Sequence, residues 1–364
     1  MVLFGWIGDN IGRRETVIIT TLMMAFSCFV VTILPTYAQI GVTASWILTI
    51  CRVIQGITSM GERIGAELYL TETIKPPIQY PVVASVSAFG TIGTTFALGV
   101  ASLVTLYGVN WCYAFGFGMV IAVIGSVART TLRETPDFAD AKRRIKKTLE
   151  EAQEDVNILN NNPIVQEKIN KKTVIALTLL HCSWPAWLYF SYIHCGSILR
   201  NSFNYTAAEV IHQNFAISII ELFSCIVLTY LSYKIYPLKI LKVLVTTVSV
   251  FILFCPYFLY NLHNAFELFL IQSFCIALDP SVMTATPIFF KHLPVFKRFT
   301  YGSLAYALAR MIMSIITAFG MVYLTEYFGH WGLLIVMIPT CIGYAFGLRH
   351  FIKLEKQAGC YAHN

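Results

Sequence analysis

The chain has 364 residues, of which 57% are hydrophobic and 12% charged, and its mean hydropathy is +0.66. Soluble domains have about half apolar and about a quarter charged residues, so this composition indicates an integral membrane protein. The apolar residues form about ten runs of 20 or more, which suit membrane helices and are too long for the strands of an outer-membrane barrel. The net charge of +7 does not indicate a nucleic-acid partner, because the basic residues lie in short loops without interleaved exposed aromatics.

Neither a metal site nor an enzyme site is predicted. The ten cysteines are scattered about one per apolar run, with no C-x-x-C pair, so we interpret them as small buried hydrophobes. The sequence has no G-x-S-x-G elbow, phosphate loop or H-E-x-x-H motif, and we therefore predict no catalytic residue and no cofactor. The first residues lack the regions of a secretory signal peptide, so we expect no segment to be removed.

The hydropathy pattern predicts an all-α membrane protein with ten spans. Their expected ranges are 16–38, 42–70, 82–106, 111–131, 173–198, 207–231, 238–260, 264–290, 299–324 and 330–352. Of the 26 lysines and arginines, 22 lie on the same side as residues 1–15, three lie within spans, and only Arg200 lies on the opposite side. This bias predicts that both termini are cytoplasmic.

One long hydrophilic stretch, 132–172, is expected to form a soluble helix or tether at the membrane surface. The predicted regions are an incomplete N-terminal bundle of about four spans (1–131), a cytoplasmic linker (132–172), a C-terminal six-helix bundle (173–352) and a cytoplasmic tail (353–364). The first half is shorter by about 50 residues, which is the length of two helices and their turn. We therefore expect helix one and most of helix two of a symmetric fold to be missing.

The sharpest short motif is GWIGDNIGRR, residues 5–14, between an apolar tail and the next span. Glycines suit a tight turn, an aspartate can accept from helix N-terminal amides, and adjacent arginines can pair with carboxylates. Its candidate gate residues are Gly5, Asp9, Gly12, Arg13 and Arg14. The alternative is an ordinary positively charged loop. The motif resembles the signature of the major facilitator superfamily, in the turn between that fold's second and third helices.

The next predicted span contains Arg52, Gln55, Glu62, Arg63 and Glu67. At 100° per residue, Arg52, Arg63 and Glu67 share a face, and Arg63 and Glu67 are spaced to pair at i, i+4. A charge inside a membrane helix costs about 2.5–3.5 kcal/mol on insertion scales, which favours a polar cavity or relay. The alternative is a purely structural ion pair between helices.

Three segments resemble one branch of this superfamily, the metabolite:proton symporters that include proline/betaine transporters. They are the Arg-x-x-Gln-Gly-x-x-x-x-Gly-Glu-x-x-Gly-Ala pattern from Arg52 to Ala66, LRETPDF at 132–138, and LPVFKRFTYGSLAYALARM at 293–311. The resemblance implies two pseudo-symmetric six-helix bundles, a midplane substrate cavity, and coupling to a proton or cation gradient. It also implies a monomer in a bacterial-type inner membrane that transports a small zwitterion or carboxylate.

The same resemblance implies residue roles. Asp9, Gly12, Arg13 and Arg14 would latch the cytoplasmic gate. Arg52 would face the cavity and hold an anionic group or bias carboxylate protonation, and Glu62 would be the coupling carboxylate. The second-half counterpart of the glycine turn departs from the pattern, because Lys234 and Pro237 stand where an aspartate and a glycine are expected. Two alternatives follow: a truncated, non-transporting remnant or membrane scaffold, and a facilitator of the sugar-porter type.

Other candidate cavity residues lie in the second half. Glu221 and Arg310 are expected at similar depth on different helices, where they could neutralise each other. Asp279-Pro280 predicts either an opened helix that exposes backbone groups or a plain proline kink. The aromatic residues of 184–192 could bind a quaternary ammonium by cation–π attraction, or could simply pack or form an interface belt. These aromatic candidates are Trp184, Trp187, Tyr189 and Tyr192.

Overall fold

The computed structural model describes residues 13–107, 112–129 and 169–361. All regular elements in these ranges are helical, and helix lies within each of the ten predicted ranges. The α-helices are α1 Arg13–Thr32, α2 Tyr37–Ile40, α3 Val42–Thr73, α4 Gln79–Tyr107, α5 Cys112–Arg129, α6 Lys171–His181, α7 Ser183–Leu188, α8 Cys195–Ser202, α9 Ala207–Lys234, α10 Pro237–Tyr260, α11 Ala265–Ala277, α12 Thr286–Lys291, α13 Arg298–Ile315, α14 Val322–Phe328 and α15 Gly332–Gln357.

Six helical stretches of the described residues are long and apolar enough to cross a membrane. They are Gln79–Val104, Lys171–Ser202, Ala207–Lys234, Pro237–Tyr260, Ala265–Lys291 and Arg298–Gln357. The last stretch has 60 residues and contains two of the predicted spans. Two shorter apolar helices, Ile18–Thr32 and Phe115–Ala128, lie in the first and fourth predicted spans. The full number of ten spans stays a prediction.

The helices group into two compact units. The first contains α1, α2, α3 and α5 together with residues 290–304. Within it, α1 packs against both α3 and α5, and the contact is made by small and polar side chains such as Ser27, Cys28 and Thr58, which are buried. Small residues let membrane helices approach closely, because lipid provides no hydrophobic force between them.

The second unit contains α4, residues 172–289 and the chain from Ala305 onward. Within it α4 packs along α9, and α10 packs along α15. Hydrogen bonds join α4 to α9, from Thr95 Oγ1 to the Ser218 carbonyl at 3.1 Å and between Ser102 and His212 at 3.3 Å. The predicted division into regions at 132–172 stays a prediction.

Several helices of the second unit are interrupted where polar side chains lie inside the unit. A π-helical segment, Tyr189–His194, joins α7 to α8, and another, Ile316–Met321, joins α13 to α14. Between α11 and the 3-10 turn Val282–Thr284 the chain leaves helical geometry at Asp279-Pro280. π-Helical turns inside α-helices often lie at functional positions. The break at Asp279-Pro280 has a different cause, because proline lacks the backbone N–H that a helix needs as a donor.

Large apolar side chains cover the outer faces of both units. Phe26 is 66% exposed, Phe89 69% and Phe223 69%. A soluble monomer rarely exposes contiguous apolar surface on this scale, whereas a helix in a bilayer meets lipid there. The exposed faces therefore fit a multi-pass membrane protein.

Gly347 on α15 lies against the backbone of α6. A Cβ atom at this position would lie 2.6 Å from the Ala176 carbonyl oxygen, so the helices could not keep their spacing. We expect Gly347→Val to lower the thermal midpoint of the detergent-solubilised protein and to destabilise it by about 1–3 kcal/mol, the usual cost of overpacking.

The matched control is Gly90→Ala on α4, where a Cβ would meet no atom within 4 Å. This substitution should be neutral or stabilising, because alanine favours a helix more than glycine does. Equal effects of the two variants would contradict a close approach of α6 and α15.

Candidate functional site

The glycine turn falls mostly outside the described residues. Gly5, Asp9 and Gly12 lie there, and α1 begins at Arg13. Arg13 and Arg14 therefore lie in the first turn of this helix, but their side chains are not among those that the structure describes. Glu62 lies within α3, and its side chain is likewise not described. The gate and coupling roles given to these residues stay predictions.

The expected pairing of Arg63 with Glu67 is confirmed. The Arg63 Nε atom donates to Glu67 Oε1 at 3.0 Å. The Glu67 side chain is 6% exposed and that of Arg63 is 32% exposed, so the pair has one buried end. One turn of helix α3 thus carries a carboxylate that is neutralised locally.

Arg52 lies earlier on the same helix and is exposed. Its guanidinium stands over the ring of Phe115 on α5, 4.6 Å from the ring centre. Its Nη1 donates to Gln55 Oε1 at 3.3 Å, and Gln55 Nε2 in turn contacts the Cys28 sulfur on α1 at 3.7 Å. Arg52 and Gln55 therefore lie together on α3, with contacts to Cys28 on α1 and to the aromatic ring of Phe115 on α5.

A second ion pair in the first unit joins residues far apart in sequence. Arg298 Nη1 donates to Glu72 Oε1 at 3.2 Å, and Arg298 Nε donates to the Leu293 carbonyl at 3.2 Å. Both side chains are buried. Sequence reasoning missed this pair, although Arg298 lies in the quoted segment 293–311. The only available signal was a charged residue at the end of each apolar run.

The aromatic candidates of 184–192 divide into two kinds. Trp187 and Tyr189 are 1% and 7% exposed and belong to the apolar core of the second unit. Trp184 and Tyr192 are half-buried and contact charged side chains. Packing thus accounts for the first two, and only the second two are placed for polar recognition.

Glu221 and Arg310 each have a partner other than the expected one. The Tyr192 hydroxyl donates to Glu221 Oε2 at 2.6 Å. The Arg310 guanidinium lies 3.6 Å from the centre of the Trp184 ring, and its Nη2 donates to the Tyr306 hydroxyl at 2.6 Å. Among the described residues Glu221 forms no salt bridge with Arg310, and each charged group contacts an aromatic side chain instead.

A network of amide side chains crosses the second unit between the π-helical segment, α9 and α11. Gln272 is fully buried, and its Nε2 donates to the Ser191 carbonyl and to Asn214 Oδ1 at 3.3 Å. Its Oε1 accepts from Gln213 Nε2 at 3.1 Å. Sequence reasoning missed these residues because it considered only ionisable groups, although three amides inside apolar runs were a visible signal.

The break at Asp279-Pro280 leaves polar atoms buried. Asp279 Oδ1 and the Tyr344 hydroxyl have no hydrogen-bond partner among the described residues, and Asp279 lies within electrostatic range of Glu221 and Tyr344. Ser183 Oγ donates to the freed Pro280 carbonyl at 3.4 Å. The described residues contain no group of three or more metal-binding side chains. The second unit thus has a polar interior of carboxyl, hydroxyl and amide groups inside apolar helices.

The chain is similar in sequence to known membrane transport proteins. A family model described as Major Facilitator Superfamily matches residues 1–280. The inner membrane metabolite transport protein YhjE of Escherichia coli (strain K12) is 35% identical over 155 residues, covering 40% of this chain and 35% of that protein. The proline/betaine transporter of the same strain is 32% identical over 145 residues, covering 38% of this chain and 29% of that protein. The alignments thus span about a third of the length of these curated relatives.

Among solved structures, a D-xylose-proton symporter aligns over 95% of this chain and 82% of its own, with a TM-score of 0.62 and 14% sequence identity. At this identity the likeness shows the fold alone. The all-helical chain, with its long apolar helices, therefore has the fold of transporters of this kind.

Proposed function

Because this chain belongs to the Major Facilitator Superfamily, we propose that it is a secondary active symporter of a small zwitterionic osmolyte or carboxylate, such as proline or betaine. The superfamily consists of multi-pass membrane transporters, not enzymes, and they bind small-molecule substrates. We infer further that a proton or cation gradient drives the transport. In this proposal the chain forms two pseudo-symmetric bundles divided at 132–172, acts as a monomer in the inner membrane, and has both termini in the cytoplasm.

The observation that carries the proposal is the placement of ionisable side chains on polar or aromatic partners inside apolar helices. Arg52 lies beside Gln55 and Phe115, and Glu221 accepts from Tyr192. Charged groups within membrane segments are expensive, face protein or water rather than lipid, and mark substrate and ion paths. The names of the relatives support the substrate class, since parts of a metabolite transport protein and of a proline/betaine transporter are similar to about 40% of this chain.

Residue roles follow from charge and position. Arg52 is the candidate to hold the carboxylate of a zwitterion, with Gln55 as its neighbour. Glu62 is the candidate coupling carboxylate, and Arg63 with Glu67 keeps this part of α3 neutral. The gate consists of Gly5, Asp9, Gly12, Arg13 and Arg14. The Arg310 guanidinium stacks on the Trp184 ring, so a quaternary ammonium can bind that face of the ring only if Arg310 moves away.

The test is uptake by proteoliposomes containing the purified chain, with an inward proton gradient and labelled proline, betaine or xylose. We expect proline or betaine uptake that collapses with a protonophore. Arg52→Ala should reduce initial uptake by about ten-fold or more, the usual effect of losing one charge-assisted hydrogen bond, and Glu62→Gln should uncouple uptake from the proton gradient.

The matched control is Arg200→Ala, which removes an exposed arginine at the end of α8 and should leave uptake unchanged. Unaltered uptake in both Arg52→Ala and Glu62→Gln would contradict the assigned roles. Xylose as the only transported solute would favour the sugar-porter alternative. A stably inserted chain without gradient-driven uptake would favour the non-transporting scaffold.

A further inference from the structure

A strongly basic groove lies on the second unit between the first turns of α10 and the last turns of α15. It encloses about 1020 Å³. Its cations are Lys242 on α10 and Arg349, Lys353 and Lys356 on α15, and His350 also lines it. None of the roles proposed for transport uses these residues. Because several like charges in one place repel each other, a groove of this composition favours an anionic occupant.

The cations of this basic groove are available for such an occupant. Lys242, Arg349 and Lys353 are exposed, and none forms a salt bridge with a residue that the structure describes. Among the described residues, Lys356 has an aromatic contact, with its Nζ atom 5.4 Å from the centre of the Tyr361 ring. His350 is half-buried, and its Nε2 atom shares a hydrogen bond with Thr173 Oγ1 at 3.1 Å.

The acidic side chain of α15 does not line the groove. Glu355 is 1% exposed and accepts a hydrogen bond from the Tyr236 hydroxyl at 2.5 Å. Burial and the Glu355 carboxylate raise the pKa of Tyr236, so the phenol stays a neutral donor at physiological pH. Glu355 is therefore held in the interior of the unit, on the opposite face of α15 from Lys353.

The walls of the groove are apolar as well as basic. Val245, Phe346 and Ile352 line it together with the cations. Arg349 lies eight residues before the end of α15 at Gln357, which is about 12 Å along the helix axis. The cations thus extend from the helix ends toward the apolar part of the helices. A phospholipid needs this arrangement, because its charged headgroup is followed by apolar acyl chains.

We propose that this basic groove binds the phosphate headgroup of an anionic phospholipid, whose acyl chains lie along the apolar faces of α10 and α15. Charge complementarity selects the phosphate, and the adjacent apolar wall selects a lipid over a soluble anion. The inference is independent of the transported substrate, since it uses none of the residues assigned to the substrate, the coupling or the gate.

The test is native mass spectrometry of the full chain in detergent, titrated with phosphatidylglycerol or with phosphatidylcholine of the same acyl chains. We expect preferential retention of phosphatidylglycerol. Each cation removed should weaken that binding by about five-fold, the usual contribution of one basic residue near an anionic membrane surface. Arg349→Gln with Lys353→Gln should therefore weaken it by about 25-fold, while phosphatidylcholine binding stays unchanged.

Two further variants make the outcome decisive. Lys234→Gln removes an exposed lysine at the end of α9, outside the groove, and should keep the preference. Arg349→Lys with Lys353→Arg keeps the charges and should also keep it, even if the neutral double variant folds poorly. Equal binding of both lipids, equal loss in Lys234→Gln, or displacement of phosphatidylglycerol by millimolar inorganic phosphate would each overturn the proposal.

Discussion

Replacing Arg298 with methionine is expected to lower the free energy of unfolding by about 3–5 kcal/mol, because it removes the guanidinium that donates to the buried Glu72 carboxylate. Both side chains are at most 10% exposed, so water cannot take the place of the guanidinium. The reverse change, Glu72→Leu, should destabilise the protein to a similar degree. Unfolding in mixed detergent micelles, followed by circular dichroism, measures this effect.

A double-mutant cycle separates the pair from its surroundings. Glu72→Leu with Arg298→Met should recover most of the lost stability, because removing both charges also removes the cost of burying them. Arg63→Met is the comparison, since the Arg63 side chain is 32% exposed and lies one turn from Glu67 on the same helix, and its loss should cost less than the loss of Arg298. Additive losses in the double variant would mean that Glu72 and Arg298 do not interact.

Gln272→Leu is expected to destabilise the second unit by about 1–3 kcal/mol and to reduce uptake by about ten-fold. Leucine has a similar volume but makes none of the hydrogen bonds to Ser191, Asn214 and Gln213. The loss leaves buried polar atoms unpaired and frees the π-helical segment from α11. Unfolding in detergent and uptake by proteoliposomes measure the two effects.

Gln213→Leu provides a graded comparison, because among the described residues the Gln213 side chain contributes one hydrogen bond to the network, to Gln272 Oε1 at 3.1 Å. Its effect on stability and uptake should be smaller than that of Gln272→Leu. If Gln272→Leu had the same stability and uptake as the unaltered chain, the amide network would neither stabilise the second unit nor shape a transport path.

Local spacing was sufficient to predict some features of the site. The i, i+4 separation of Arg63 and Glu67 placed both charges on one face of α3, and the structure has the pair. Helix likewise lies within each of the long apolar runs, because membrane helices carry their signal in continuous hydropathy. The proline after Asp279 marked the break that follows α11.

Contacts between distant residues could not be predicted in this way. Glu72 and Arg298 are 226 positions apart, and nothing in either segment specifies the other. Glu221 was expected to pair with Arg310 because opposite charges at similar depth attract. In the structure a tyrosine hydroxyl and a tryptophan ring lie closer, and each satisfies one charge. Depth along a helix does not determine the direction in which its side chains point.

The apolar side chains on the outer faces of the helices have a consequence for how the chain loses its fold. Residues such as Phe89 and Phe223 already contact the surrounding medium, so unfolding inside a micelle exposes little additional apolar surface to water. The heat-capacity change of unfolding and the slope against denaturant both scale with newly exposed surface. Both should therefore be small for a chain of 364 residues, and a shallow transition would reflect solvation by lipid rather than loose packing.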